Sequence, residues 1–82
     1  MTMTQQEKFY RRGKAIFRRL ERRLRAAHRG EVIAIDPSSG NYVLGKDALE
    51  AALKARERFK GQPVNFFRIG FPVVHKLRNV IS

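Results

Sequence analysis

The distribution of charge between residues 5 and 29 constrains this chain more than any other feature. At about 100° per residue, Phe9, Gly13, Ile16, Phe17, Leu20, Leu24 and Ala27 fall in one arc. Lys8, Arg11, Arg12, Lys14, Arg18, Arg19, Arg22, Arg23, Arg25 and Arg29 fall in the opposite half. Such segregation describes an α-helix with a covered apolar stripe and an open cationic face. Thr4 and Glu7 supply a T-x-x-E capping box at its start. Gly30 stands where a left-handed residue ends a helix. A helix is therefore predicted over residues 5–29. Gly13 is its anomaly, costing about 1 kcal/mol relative to alanine. It implies either close packing or a break after the first two turns.

The remainder reads as a small sheet domain. EVIAID (31–36) is apolar on both alternations, with Ile33 and Ile35 on one face and Val32 and Ala34 on the other, which predicts a central strand. PSSGN (37–41) is turn chemistry, and YVL (42–44) returns to make a hairpin that Gly45 ends. Asp47 and Glu50 cap a helix near 48–60, stopped by Gly61, whose predicted inner face is Leu49, Ala52, Leu53 and Phe59. After Pro63, VNFFRI (64–69) is a third strand and VVHKL (73–77) a fourth, with RNVIS its end or a tail.

The predicted class is α+β: a long N-terminal amphipathic helix, then a β-hairpin, a helix and one or two further strands in a small antiparallel sheet. The 82 residues suit a single domain, with 1–29 as the basic helix and 30–82 as a ββαβ(β) core. Helix 48–60 should cover one face of the sheet. The N-terminal helix, about 37 Å long, exceeds what that sheet needs. It should lie beside the second helix or project into a homodimer.

Charge narrows function. The formal net charge is +11, from 18 Lys+Arg against 7 Asp+Glu. Ten of those cations lie in residues 8–29, where Glu21 is the lone acid. Ordinary solvated faces mix signs; this one does not, so an anionic partner is expected. Arginine forks onto phosphates and carboxylates alike. The predicted surface is Arg11, Arg12, Arg18, Arg19, Arg22, Arg23, Arg25 and Arg29, anchored by Ile16, Leu20 and Leu24, and it meets nucleic acid or an acidic protein. Charge of a single sign supplies affinity rather than sequence specificity. A membrane surface would need the apolar stripe free to meet lipid, and the sheet needs that stripe itself.

Other chemistry is sparse. Without cysteine there is no disulfide, thiolate metal site or cysteine nucleophile. The start has no signal-peptide apolar run, and no stretch approaches the ~18 apolar residues of a membrane span, so a cytoplasmic location is expected. His28 and His75 have no companions at ligand spacing, and DPSSGNY lacks the G-K-[ST] of a phosphate loop. No metal, cofactor, small-molecule substrate or catalytic residue is expected. Three secondary positions stand out. Arg56 interrupts the arc of Leu49, Leu53 and Phe59, and should snorkel to the rim or pair with Asp36 or Glu57. Arg68 alternates with Val64 and Phe66, either stacking bases or bordering a core of Phe66, Phe67 and Phe71. His75 is the third.

From Gly30 onward the chain resembles small bacterial domains of unknown function. Their pattern is G-E-hydrophobic-A-I-D, a Gly-rich turn, a G-x-[ST/D]-x-x-E-A-x-x-x-A helix and a strand ending in R-I-G. The matching residues are Gly30, Glu31, Ala34, Ile35, Asp36, Gly45, Leu49, Glu50, Ala51, Ala55, Arg68, Ile69 and Gly70. That resemblance implies no catalytic residues and a role like that of antitoxins or accessory subunits, with an operon partner or operator DNA. FRIGFPVVHKL is also similar to the strand pair of ribosome-dependent mRNA-cleaving toxins of the RelE type. It implies Arg68 and His75 as candidates, although the hairpin and the missing second arginine depart from that pattern.

Overall fold

The capping box sets the first helix as its sequence foretells. In the computed structural model, which describes residues 3–71, helix α1 runs Gln5–His28. The Thr4 hydroxyl accepts from the Glu7 amide at 3.1 Å, and the Glu7 carboxylate accepts from the Thr4 amide at 2.8 Å. At the far end Gly30 takes φ +89°, and the Glu31 amide donates back to the His28 carbonyl at 3.0 Å. There follow β1 (Val32–Ile35), β2 (Tyr42–Gly45), α2 (Ala48–Phe59) and β3 (Asn65–Arg68). The predicted VVHKL strand, the RNVIS tail and His75 lie outside the described residues.

The strands form an antiparallel sheet in the order β2-β1-β3, with Ile33 opposite Leu44 on one side and Phe67 on the other. The central position predicted for β1 is observed, and all four of its residues are buried. Because β1 is apolar on both faces, it needs a cover on each. Helix α1 covers one, packing Ile16, Phe17 and Leu20 on Ile33, Ile35, Phe67 and Ile69. Helix α2 covers the other, packing Ala51, Ala55 and Phe59 on Val32 and Ala34. The apolar stripe of α1 thus packs as core, and the placement beside α2 is corrected: the helices sit on opposite faces of the sheet. The first turn of α1 overhangs, with Thr4–Lys8 exposed.

Two predicted inner faces need correction. Leu49 and Leu53 of α2 are 68% and 50% exposed, while Ala51 is fully buried. The backbone of α2 lies so close to β2 that a Cβ on Gly45 would stand 2.8 Å from the Ala51 Cα. Leucine does not fit such a gap, so alanines face the sheet and the leucines turn to the flank. Similarly, Ala27 of α1 is exposed, because the helix passes the end of the sheet there. Of the aromatic trio, Phe67 alone is core, stacked on Phe17 at 4.6 Å between centroids. Phe66 and Phe71 are 46% and 49% exposed.

Gly13 marks close packing rather than a break. The Asn65 side chain occupies the space above it, and a Cβ there would overlap the Asn65 amide nitrogen and stand 2.7 Å from its Cγ. That amide donates to the Phe9 carbonyl at 3.1 Å, satisfying a buried polar group. Gly13→Ala should therefore destabilise by about 1–3 kcal/mol, despite alanine's helix-propensity advantage of about 1 kcal/mol. A double-mutant cycle with Asn65→Ala, followed by urea denaturation, should show the pair costing less than the sum of the singles.

The β1–β2 turn is organised by Asp36, which is 8% exposed. One carboxylate oxygen accepts from the Ser38 hydroxyl at 2.6 Å and the Ser38 amide at 3.0 Å, and the other accepts from the Ser39 hydroxyl at 3.0 Å. The Ser38 hydroxyl chiefly holds the carboxyl below its ordinary value. Burial opposes this, and the Ser38 amide and Ser39 reinforce it. A depressed folded value stabilises the fold above the unfolded carboxylate value, near ~4, and that stability fades as pH falls through the folded value. Asp36→Ala should cost about 1–3 kcal/mol at neutral pH. Urea midpoints of variant and wild type should converge below pH ~4.

Candidate functional site

The buried residues Gly13, Ile16, Phe17 and Leu20 fix which way α1 faces. Counting about 100° per residue from them, the cations resolve into two rows. Arg11, Lys14, Arg18, Arg22 and Arg25 follow the flank nearer β3, where Tyr10 and Phe17 lie against Phe67. Lys8, Arg12, Arg19 and Arg23 follow the other flank. Exposed Ala15 and Ala26 lie between the rows, which leaves a low crest. Apart from half-buried Lys14, every cation in both rows is exposed. Seven of the eight predicted arginines therefore share one helix surface, while Arg29 follows the last helical residue with its side chain over Gly70. The 24-residue helix carries it for about 36 Å, nearly the 38 Å length of the molecule. Residues four apart, such as Arg18 and Arg22 or Arg19 and Arg23, are spaced about 6 Å along the axis.

Neighbouring charge in the first row is felt at Lys14. The Lys14 ammonium is pushed below its ordinary value, first by burial and then by the charges of Arg18 and Arg11. The lone acid does little to relieve this. Glu21 accepts from the Gly70 amide at 2.8 Å and pairs with Arg25 at 3.3 Å. Its carboxylate is thus committed to fastening α1 to the end of β3. Nothing in the sequence announced that bond, because its donor is a backbone amide 49 positions away.

The secondary residues fall elsewhere. Arg68 donates from Nη1 to the Gly30 carbonyl at 2.9 Å, and its guanidinium carbon lies 5.8 Å from the Phe71 ring centroid. Beside it the Gly30 amide donates to Ile69 and the Ile69 amide to Glu31, both at 2.8 Å. Arg68 thus clasps the end of α1 to β3 and joins neither row. Arg56 is exposed on α2, across the sheet from the rows, in a shallow depression with Leu53, Lys54 and Glu57. Asp36 spends its carboxylate on the two serines rather than on Arg56. His28 has a companion that sequence reasoning missed: its Nδ1 lies 3.1 Å from the Glu31 carboxylate, across the helix end. Among the described residues no group of three or more His, Asp or Glu is placed to hold a metal ion.

The second row opens at its N-terminal end into a cleft of about 250 Å³. Lys8 and Arg12 form one wall, and Asp36, Pro37 and Ser38 of the turn form the other. No helix among the described residues is long and apolar enough to cross a membrane. No family model, curated protein or solved structure matches this chain.

Proposed function

We propose that this protein is a non-enzymatic nucleic-acid-binding protein that grips the phosphate backbone with the two cationic rows of α1. One observation carries the reading. The cations continue at near-regular spacing along the exposed face of a 24-residue helix, and the single acid among them is engaged with the Gly70 amide just after β3. A periodic, extended cation surface suits a periodic, extended anion. Bidentate arginine contacts to phosphate confer position and affinity without reading bases. In an antitoxin-like or accessory role, as the resemblance implies, contacts of this kind would supply affinity for DNA and not the choice of operator.

Salt titration tests the proposal. With six to eight phosphates engaged, log K should fall against log salt with a slope of about −5 to −7 on duplex DNA. That is a loss of roughly 10³- to 10⁴-fold between 50 and 200 mM salt, read by fluorescence anisotropy. A flat salt response, or no binding to duplex or single strands at low salt, would remove this reading and leave the acidic protein partner.

A further inference from the structure

We propose that the cleft at the N-terminal end of the second row holds one unpaired nucleotide, at the end of a strand whose duplex lies along α1. This rests on the phosphate-binding reading of the rows and assigns a ligand to the place where they end. The cleft lies at the end of the sheet where β1 leaves and β3 begins. Its lining joins the first two turns of α1 to Asp36, Pro37 and Ser38 after β1, and to Gln62 and Pro63 before β3. Its volume of about 250 Å³ falls just short of the roughly 300–1,000 Å³ of pockets that enclose drug-sized ligands. A space of that size suits one base and not a stacked pair.

The chemistry of the walls divides as a nucleotide does. Lys8 and Arg12, both exposed and one helical turn apart, carry the second row into the cleft. A phosphate there meets two cations in step with those along the helix. Phe9, Pro37 and Pro63 supply apolar surface, and a base stacks on such surface whatever its identity. Gln5 and Gln62 each offer an amide donor and acceptor to a base edge. Asp36 disfavours a second phosphate. Its carboxylate stands in the wall opposite the cations, bonded to the Ser38 and Ser39 hydroxyls. A polyphosphate filling the cleft would meet that charge, whereas an uncharged base does not. The walls are also built in advance. Asp36 ties the turn with three hydrogen bonds, the prolines fix their own φ, and the Asn65 amide holds the Phe9 carbonyl at 3.1 Å. An entering base therefore has little to order. Bases inside a duplex are stacked and paired, out of reach of such a cleft, so its occupant is an unpaired one.

DNA hairpins of about ten base pairs, matched to the length of the 24-residue helix, test this with the full chain. One ends in a single unpaired adenine at its 3′ end and another at its 5′ end. Each is compared by fluorescence anisotropy with a hairpin carrying an abasic site in place of that adenine, so the phosphates are equal in number. In at least one polarity the adenine should tighten binding about tenfold, the effect of one stacked base. Phe9→Leu keeps an apolar side chain and removes the ring. It should cut that ratio to about twofold and leave affinity for the abasic hairpin unchanged. The wild-type comparison stands whether or not that variant folds. Equal affinities with and without the adenine, in both polarities, would overturn the proposal and leave the phosphate-backbone reading in place. An undiminished ratio in folded Phe9→Leu protein would also overturn it, since the base would then stack elsewhere. Binding to none of the hairpins at low salt would remove the backbone reading and this inference with it.

Discussion

Neutralising Arg18, Arg22 and Arg25 together, each to Gln, should weaken duplex DNA binding about 500-fold at ~0.1 M salt. The figure follows from counterion release, in which each neutralised phosphate is worth about 0.9 log unit at that salt concentration and about 0.9 unit of salt slope. Removing three phosphate-binding cations therefore also reduces the slope by about 2.7. Reversal to Glu should weaken binding further by adding repulsion. All three side chains are exposed, so the circular dichroism spectrum and melting temperature should hardly change. The other row supplies a comparison. If a duplex lies along the alanine crest, Arg12, Arg19 and Arg23→Gln should cost about as much. Loss from one row alone would indicate a single strand tracking one flank. Arg56→Gln, across the sheet, should leave affinity unchanged. A loss from Arg56→Gln of about 0.9 log unit, one third of the triple's, would mean that net charge, not the organised face, governs binding.

Gly45→Ala should lower stability by about 2–3 kcal/mol, a fall of roughly 10–20 °C in melting temperature for a domain of this size. The added methyl would meet the Ala51 amide nitrogen and Cα and the Glu50 carbonyl carbon, all of them α2 backbone. No flexible side chain stands there to give way, so the helix must lift from the sheet. Gly40→Ala is the informative control. Gly40 also takes a positive φ, +82°, but nothing lies within 4 Å of its added Cβ. It should cost only about 1 kcal/mol, the strain of the left-handed conformation alone. Thermal denaturation of the two variants separates close packing from backbone strain; equal losses would show that α2 yields without cost.

Those two glycines also show where sequence reading reached and where it stopped. Turn and cap chemistry is local, so Thr4, Glu7, Gly30 and Asp47 announced their elements from a few neighbouring residues. The cationic face was equally plain, since helix geometry alone places its arginines. The inner face of α2 was not. Periodicity favours the larger apolar residues, Leu49 and Leu53, but the gap beneath the helix admits only alanine. That gap depends on a glycine from another element. The placement of the helices was written in β1, whose two apolar alternations ask for a cover on each side, yet the long α1 invited a projecting role instead. Long-range polar bonds left no signal at all. Glu21 to Gly70, Arg68 to Gly30 and Asn65 to Phe9 join residues whose types are ordinary at their positions.

Those same three bonds, with the Phe17–Phe67 stack, attach α1 at intervals to β3 and the residues beside it. In mechanical terms α1 is a rail bolted to a plate. Rows of like charge would unwind a free helix of this composition, and a free helix would have to be ordered again at each encounter. Here the ordering is already complete before any ligand arrives, so association loses little conformational entropy. Capture should then run at the electrostatically steered limit, with no slow folding phase, and discrimination among ligands should appear in how quickly they leave.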